Sequence, residues 1–132
     1  GGEISAHHYF RDFAFCDSGM IPWLLIAELV SKSGRSLADW IRGRSLAFPS
    51  SGEVNFHVNN AEAAISRVLA AYRADAVSLE ETDGLSLAFK DWRFNLRSSN
   101  TEPLIRLNVE SCGNAPKLQA KVTEITNIIH EI

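Results

Sequence analysis

Cysteine is scarce in this chain, with two in 132 residues, Cys16 and Cys112. That is too few for a disulfide framework, and both read as reduced thiols of a cytoplasmic protein. Neither they nor the four histidines (His7, His8, His57 and His130) fall at zinc-ligand spacing, so no metal is expected on this chain. An excess of charge of one sign is also lacking. Thirteen Lys and Arg against sixteen Asp and Glu leave a net −3, which argues against binding to nucleic acid or to an anionic membrane surface. Long apolar runs are missing as well. The longest, residues 21–30, carries Pro22 and Glu28 and is far short of a bilayer span. The start, Gly1-Gly2-Glu3, has neither the basic region nor the apolar core of a signal peptide, nor a Met. The expectation is a piece of a longer protein, with no repeat and no low-complexity tract.

What is present is ordinary for a globular protein: 45% hydrophobic and 22% charged residues, enough for one domain or a small domain plus a fragment. Helix signals begin at Asp17-Ser18, either of which can cap. Ile21, Leu24, Leu25 and Leu29 form a helical stripe that ends at Ser33-Gly34. Ser36 and Asp39 resemble a cap for a short helix carrying Leu37, Trp40 and Ile41. Phe48-Pro49-Ser50-Ser51-Gly52 reads as a linker.

Beyond it the pattern changes. Residues 53–58 read as a strand. Asn59 with Glu62 then reads as a capping box for a helix with Ala61, Ile65, Val68, Leu69 and Tyr72 on one face. Residues 77–82 and 85–89 read as a hairpin turning at Asp83-Gly84. Two further strands, 92–96 and 104–110, precede a helix opened by Asn114 and Pro116, with Leu118, Val122, Ile125, Ile129 and Ile132 in a stripe. Taken together, the chain reads as α+β. Residues 48–132 form an antiparallel sheet of about four strands covered by two helices, and residues 1–47 are mainly helical. That first part holds little strand, so its apolar stripe is expected to drive self-association.

One polar run lies between two alternating apolar stretches: Arg97-Ser98-Ser99-Asn100-Thr101-Glu102-Pro103. A guanidinium fork, adjacent hydroxyl and amide side chains and backbone N–H groups make a donor set suited to a phosphate dianion. Composition alone leaves a generic turn open. Arg93 and Arg106 read as solvent-facing or paired with acids, and Trp92 and Phe94 as core.

Two motifs in the same order carry a resemblance over essentially the whole chain. Gly2-Glu3-Ile4-Ser5-Ala6-His7-His8-Tyr9-Phe10 resembles the sugar-recognition loop of the α-D-phosphohexomutases, and residues 97–103 resemble their phosphate-binding loop. Asp17-Ser18-Gly19 and Thr82-Asp83-Gly84 are similar to the family at matching separations, and the run from His7 to Asp12 is most like the bacterial phosphomannomutase branch. Ile4 departs from the usual Met. The resemblance implies that residues 1–47 are the C-terminal remnant of the family's third, sugar-recognition α/β domain, that residues 48–132 are its fourth, phosphate-binding domain, of the TATA-box-binding-protein-like type, and that the two carry a split recognition site. Glu3, Ser5 and His7 would meet sugar hydroxyls, with His7 in a supporting binding role and His8 structural. Arg97, Ser98, Ser99, Asn100 and Thr101 would hold phosphate, Ser98 least securely.

The resemblance further implies reversible transfer between mannose 6-phosphate and mannose 1-phosphate through a hexose bisphosphate. The phosphoserine and Mg2+ that this chemistry uses belong to domains outside this chain, because neither loop type is present in it. The chain itself is therefore expected to bind no cofactor, to carry no catalytic residue and to be inactive alone. Two alternatives stay open: a dual phosphomannomutase/phosphoglucomutase parent, and a non-catalytic sugar-phosphate or protein-binding module.

Overall fold

The computed structural model describes residues 1–2, 6–99 and 103–130. The chain divides into two compact units, Gly1–Arg42 and Gly43–Ile132. In the first, a two-residue strand β1 (Tyr9–Phe10) pairs antiparallel with β2 (Cys16–Asp17), and Gly2 bridges His8. Helix α1 (Met20–Ser33) follows. Ser18 Oγ accepts from Ile21 N–H at 3.3 Å, and Gly34 ends the helix at φ +64°. Helix α2 (Leu37–Ala47) starts as expected from Ser36, whose hydroxyl accepts from Asp39 N–H and donates to the Asp39 carboxylate. No residue of α1 is buried. Met20, Trp23, Leu24, Leu25, Ile26 and Leu29 are all exposed, so the helix is apolar around most of its girth rather than along one stripe. Helices of that kind belong in interiors.

The second unit is a five-stranded antiparallel sheet, one strand more than about four. Its order is β3 (Val54–His57), β7 (Leu104–Ser111), β6 (Trp92–Ser98), β5 (Leu85–Ala88) and β4 (Ser78–Glu80). Helices α3 (Ala61–Tyr72) and α4 (Ala115–His130) cover one face. Strict alternation on β6 and β7 sends Trp92, Phe94, Leu96, Leu107 and Val109 inward, against Val68 and Tyr72 of α3 and Ile125 and Ile129 of α4. Tyr72 meets Phe89, Trp92 and Phe94 edge-on at 5.6–5.9 Å. Burial, with the Glu124 carboxylate nearby, pushes its phenol well above the usual tyrosine range. The helices are tied together where Arg67 donates to the carbonyls of Ile128 and Ile129.

Three local expectations are corrected. The cap of α3 is Asn60, not Asn59: Asn60 has extended backbone and its Oδ1 accepts from Ala63 N–H at 3.0 Å. The β4–β5 connection is the four residues 81–84 rather than a two-residue turn, although Gly84 does take positive φ (+73°). The segment read as a linker is held against β7. Ser51 N–H donates to Val109 O, Ser111 N–H donates to Pro49 O, and Val109 N–H donates to Ser51 Oγ, all within 2.9–3.0 Å. A polar, Pro-containing composition cannot report that a long neighbouring strand has unpaired backbone groups to offer.

Candidate functional site

In the first unit the short hairpin sets one His and one Asp face to face. Pairing of Tyr9 with Asp17 brings the residues preceding β1 alongside the Asp17 side chain. His7 Nδ1 lies 2.6 Å from Asp17 Oδ2, and the other carboxylate oxygen accepts from His8 N–H at 2.9 Å. The bond to His7, and then that to His8 N–H, holds the Asp17 carboxyl below the usual range. An ionised carboxylate only accepts, so the proton of this contact sits on Nδ1 and Nε2 becomes the ring's second functional atom. Asp17 is thus the orienting partner of His7, a role that sequence reading missed. Glu3 and Ser5 lie outside the described residues.

The second unit carries the polar loop. Arg97 stands on the sheet face away from the helices, since its neighbours Leu96 and Phe94 point inward. Ser99 N–H donates to Leu104 O at 2.9 Å, closing the base of the loop. Asn100 and Thr101 lie outside the described residues. Beside Arg97 the chain passes unusually close: a Cβ at Gly84 would sit 2.5 Å from Arg97 Cβ and 2.7 Å from Leu96 O. Only a residue without a side chain fits there. The approach is fixed from β6, where the Asn95 amide donates to Asp83 O at 2.8 Å and to Ser86 Oγ at 2.9 Å.

The result is a polar cleft of about 310 Å3 lined by Thr82, Asp83, Gly84, Arg97, Ser98, Ser99 and Arg106. Arg97 lies 3.6 Å from Glu53 and 3.8 Å from Asp83. Arg106, expected at solvent or beside an acid, is paired with Glu53 at 3.6 Å and shares the cleft with Arg97. Arg93, by contrast, is paired with Glu110 at 2.8 Å at a distance from the cleft. A larger cleft of about 540 Å3 lies at the opposite end of β6, among Phe48, Phe89, Trp92 and Cys112. Its walls are mostly apolar, and it contains none of the motif residues. Hydroxyls and guanidinium forks gathered in one cleft can hold a tetrahedral oxyanion; the larger cleft also carries Arg44, Lys90 and Arg93, with Arg93 engaged by Glu110.

Comparison with known proteins gives two family matches. Residues 1–46 match the model described as phosphoglucomutase/phosphomannomutase, alpha/beta/alpha domain III, and residues 53–128 match that of the phosphoglucomutase/phosphomannomutase C-terminal domain. A protein named "Phosphohexose mutases" from Xanthomonas campestris pv. campestris is 62% identical over 98% of this chain and 29% of its own length. Phosphomannomutases of Salmonella montevideo and Escherichia coli K12 are 58% and 53% identical over 98% and 99% of the chain, and 28% and 29% of their own lengths. The chain therefore spans under a third of these relatives. A solved phosphoglucomutase/phosphomannomutase family protein from Burkholderia thailandensis shares the fold, with a TM-score of 0.65 and 23% identity over 97% of this chain and 27% of that one.

Proposed function

The chain belongs to the phosphoglucomutase/phosphomannomutase family, and from that premise we propose that it supplies the substrate-recognition part of a phosphohexomutase interconverting mannose 6-phosphate and mannose 1-phosphate. Residues 1–47 contribute sugar-hydroxyl contacts from Glu3, Ser5 and His7. Residues 48–132 contribute a phosphate clamp from Arg97, Ser98, Ser99, Asn100 and Thr101. The observation that carries this reading is the cleft itself: Arg97 set beside two serines and a second arginine, with Gly84 clearing the flank.

A transferring phosphoryl group needs positioning and charge stabilisation more than covalent help from the protein. The clamp binds either phosphate of a bisphosphorylated hexose, and His7, oriented by Asp17, contacts the sugar end. Phosphoserine and Mg2+ act from elsewhere in the parent. Among the described residues no group of three or more His, Cys, Asp or Glu side chains gathers. A cytoplasmic setting belongs to the same reading. It fits the phosphosugar substrate, and among the described residues no helix is long and apolar enough to cross a membrane.

The test is Arg97→Ala in the full-length parent. Loss of a charge-assisted hydrogen bond, about 1.5–3 kcal/mol, should raise KM for mannose 1-phosphate roughly 10- to 150-fold while folding is retained. Unchanged kinetics would remove Arg97 from the site. Competition between mannose and glucose phosphates in the same assay fixes the breadth of substrate.

A further inference from the structure

The outer face of the β6–β7 pair carries three successive cross-strand partners: Arg93 with Glu110, Asn95 with Asn108, and Arg97 with Arg106. The first is an ion pair at 2.8 Å and the second matches amide with amide. The third sets like charges directly opposite each other, an arrangement that by itself destabilises a sheet. Glu53 compensates. One oxygen of its carboxylate lies 3.6 Å from Arg97 and the other 3.6 Å from Arg106. At that separation the carboxylate neutralises charge without making good hydrogen bonds.

We propose that Arg97 and Arg106 form a two-arginine anion subsite in which Glu53 is the resident counter-charge, displaced when a phosphate dianion enters. This rests on the phosphate-clamp reading of the Arg97 loop and adds to it a second cation and a competing anion. Three features support the exchange. Among the described residues, Arg97 and Arg106 face two carboxylates, Glu53 and Asp83, so a dianion gains most if a carboxylate moves away. Glu53 is free to do so: its side chain is 41% exposed and it is attached just before β3, next to Gly52 at φ +64°. A phosphate also offers more acceptor oxygens than a carboxylate, in a geometry that two guanidinium forks can meet with short bonds. The arginine backbones meanwhile are fixed, that of Arg97 by the close approach of Gly84 and both by their positions in β6 and β7.

The experiment titrates inorganic phosphate into the 132-residue chain at constant ionic strength, following the Nε–H signals of Arg97 and Arg106 by NMR. Both signals are expected to shift along one saturable curve. Glu53→Gln, a near-isosteric change, should tighten phosphate binding about fivefold or more, the effect of one unit charge at ~4 Å even in bulk water. Arg106→Gln should weaken it about tenfold and abolish the gain from Glu53→Gln, whereas Arg106→Lys should fall between. Amide spectra report folding of every variant.

If Glu53→Gln leaves affinity unchanged or lowers it, the counter-charge role is overturned. If Arg97 responds but Arg106 neither shifts nor affects affinity, the two-arginine subsite is overturned while the Arg97 clamp stands. If neither arginine responds to phosphate, the clamp reading fails with it.

Discussion

Replacing Gly84 by alanine tests the geometry on which the cleft depends. The residue sits at φ +73°, and an added Cβ would lie 2.5 Å from Arg97 Cβ, 2.7 Å from Leu96 O and 2.8 Å from Arg97 Cα. Two costs are superposed. Holding alanine in the left-handed region costs about 1–2 kcal/mol. The overlap adds about 1–3 kcal/mol, because the atoms struck are those of a central strand and cannot swing aside as a flexible side-chain tip would. Gly113 separates the two terms. It sits at φ +62° with nothing within 4 Å of the position a Cβ would occupy, so Gly113→Ala carries the backbone term alone. Urea unfolding followed by far-UV CD should therefore show Gly84→Ala destabilised by about 2–5 kcal/mol and Gly113→Ala by about 1–2. In a chain of this size each kcal/mol lowers Tm by about 3–5 °C. A Gly84→Ala variant no less stable than Gly113→Ala would refute the close approach of the 81–84 loop to Arg97. The walls assigned to the cleft would fall with it.

The other expectations are smaller or more local. Asn60→Ala should cost about 1 kcal/mol and Asn59→Ala well under half of that, because only Asn60 caps α3; equal effects would contradict the cap. The Asp17 carboxyl, followed by 13C NMR, should titrate below its ordinary 3.8 and move back toward that value in His7→Ala. Since its folded pKa is the lower one, the stabilisation is present above the unfolded value and is lost as pH falls through the folded value. A normal titration with His7 intact would rule out the pairing. A double-mutant cycle on Arg93 and Glu110 should give a coupling of about 0.2–1 kcal/mol that shrinks with salt, as their exposure dictates. Sedimentation of the chain should show association that Leu25→Glu reduces, given the exposed apolar surface of α1; a monomer at high concentration would argue against it.

Much of the second unit was readable because its strands are half-buried. Alternation through Trp92, Phe94 and Leu96 and through Leu107 and Val109 follows directly from one face meeting helices. Stripe reading picked Val68 and Tyr72 correctly but passed over Ala64, which is fully buried. A small side chain carries little hydrophobic signal, although it is what lets a helix approach a sheet. The site was legible as a motif and not as a geometry. Arg97 stood out through its loop, whereas Arg106 looked like any strand arginine. Equal steps back from the loop along the two expected strands, 92–96 and 104–110, would set it opposite Phe94; the actual register is offset by three residues and pairs it with Arg97. Glu53 is distant in sequence and lies outside the polar run, so no local pattern marks it. In the first unit, α1 reads as a single stripe through Ile21, Leu24, Leu25 and Leu29, yet Trp23 and Ile26 extend the apolar surface beyond it.

The stitching of residues 49–51 onto β7 has a consequence for solubility. β7 is eight residues long, and β3 pairs with only its first four. Left bare, the remaining half would be a row of unpaired backbone groups, a template onto which another chain could add a strand. The 49–51 segment occupies it, with Pro49 contributing a carbonyl and no N–H of its own. At the far side the sheet ends in β4, three exposed residues closing on Glu80, too short and too charged to recruit a partner. These two margins therefore offer little template for strand addition by another chain.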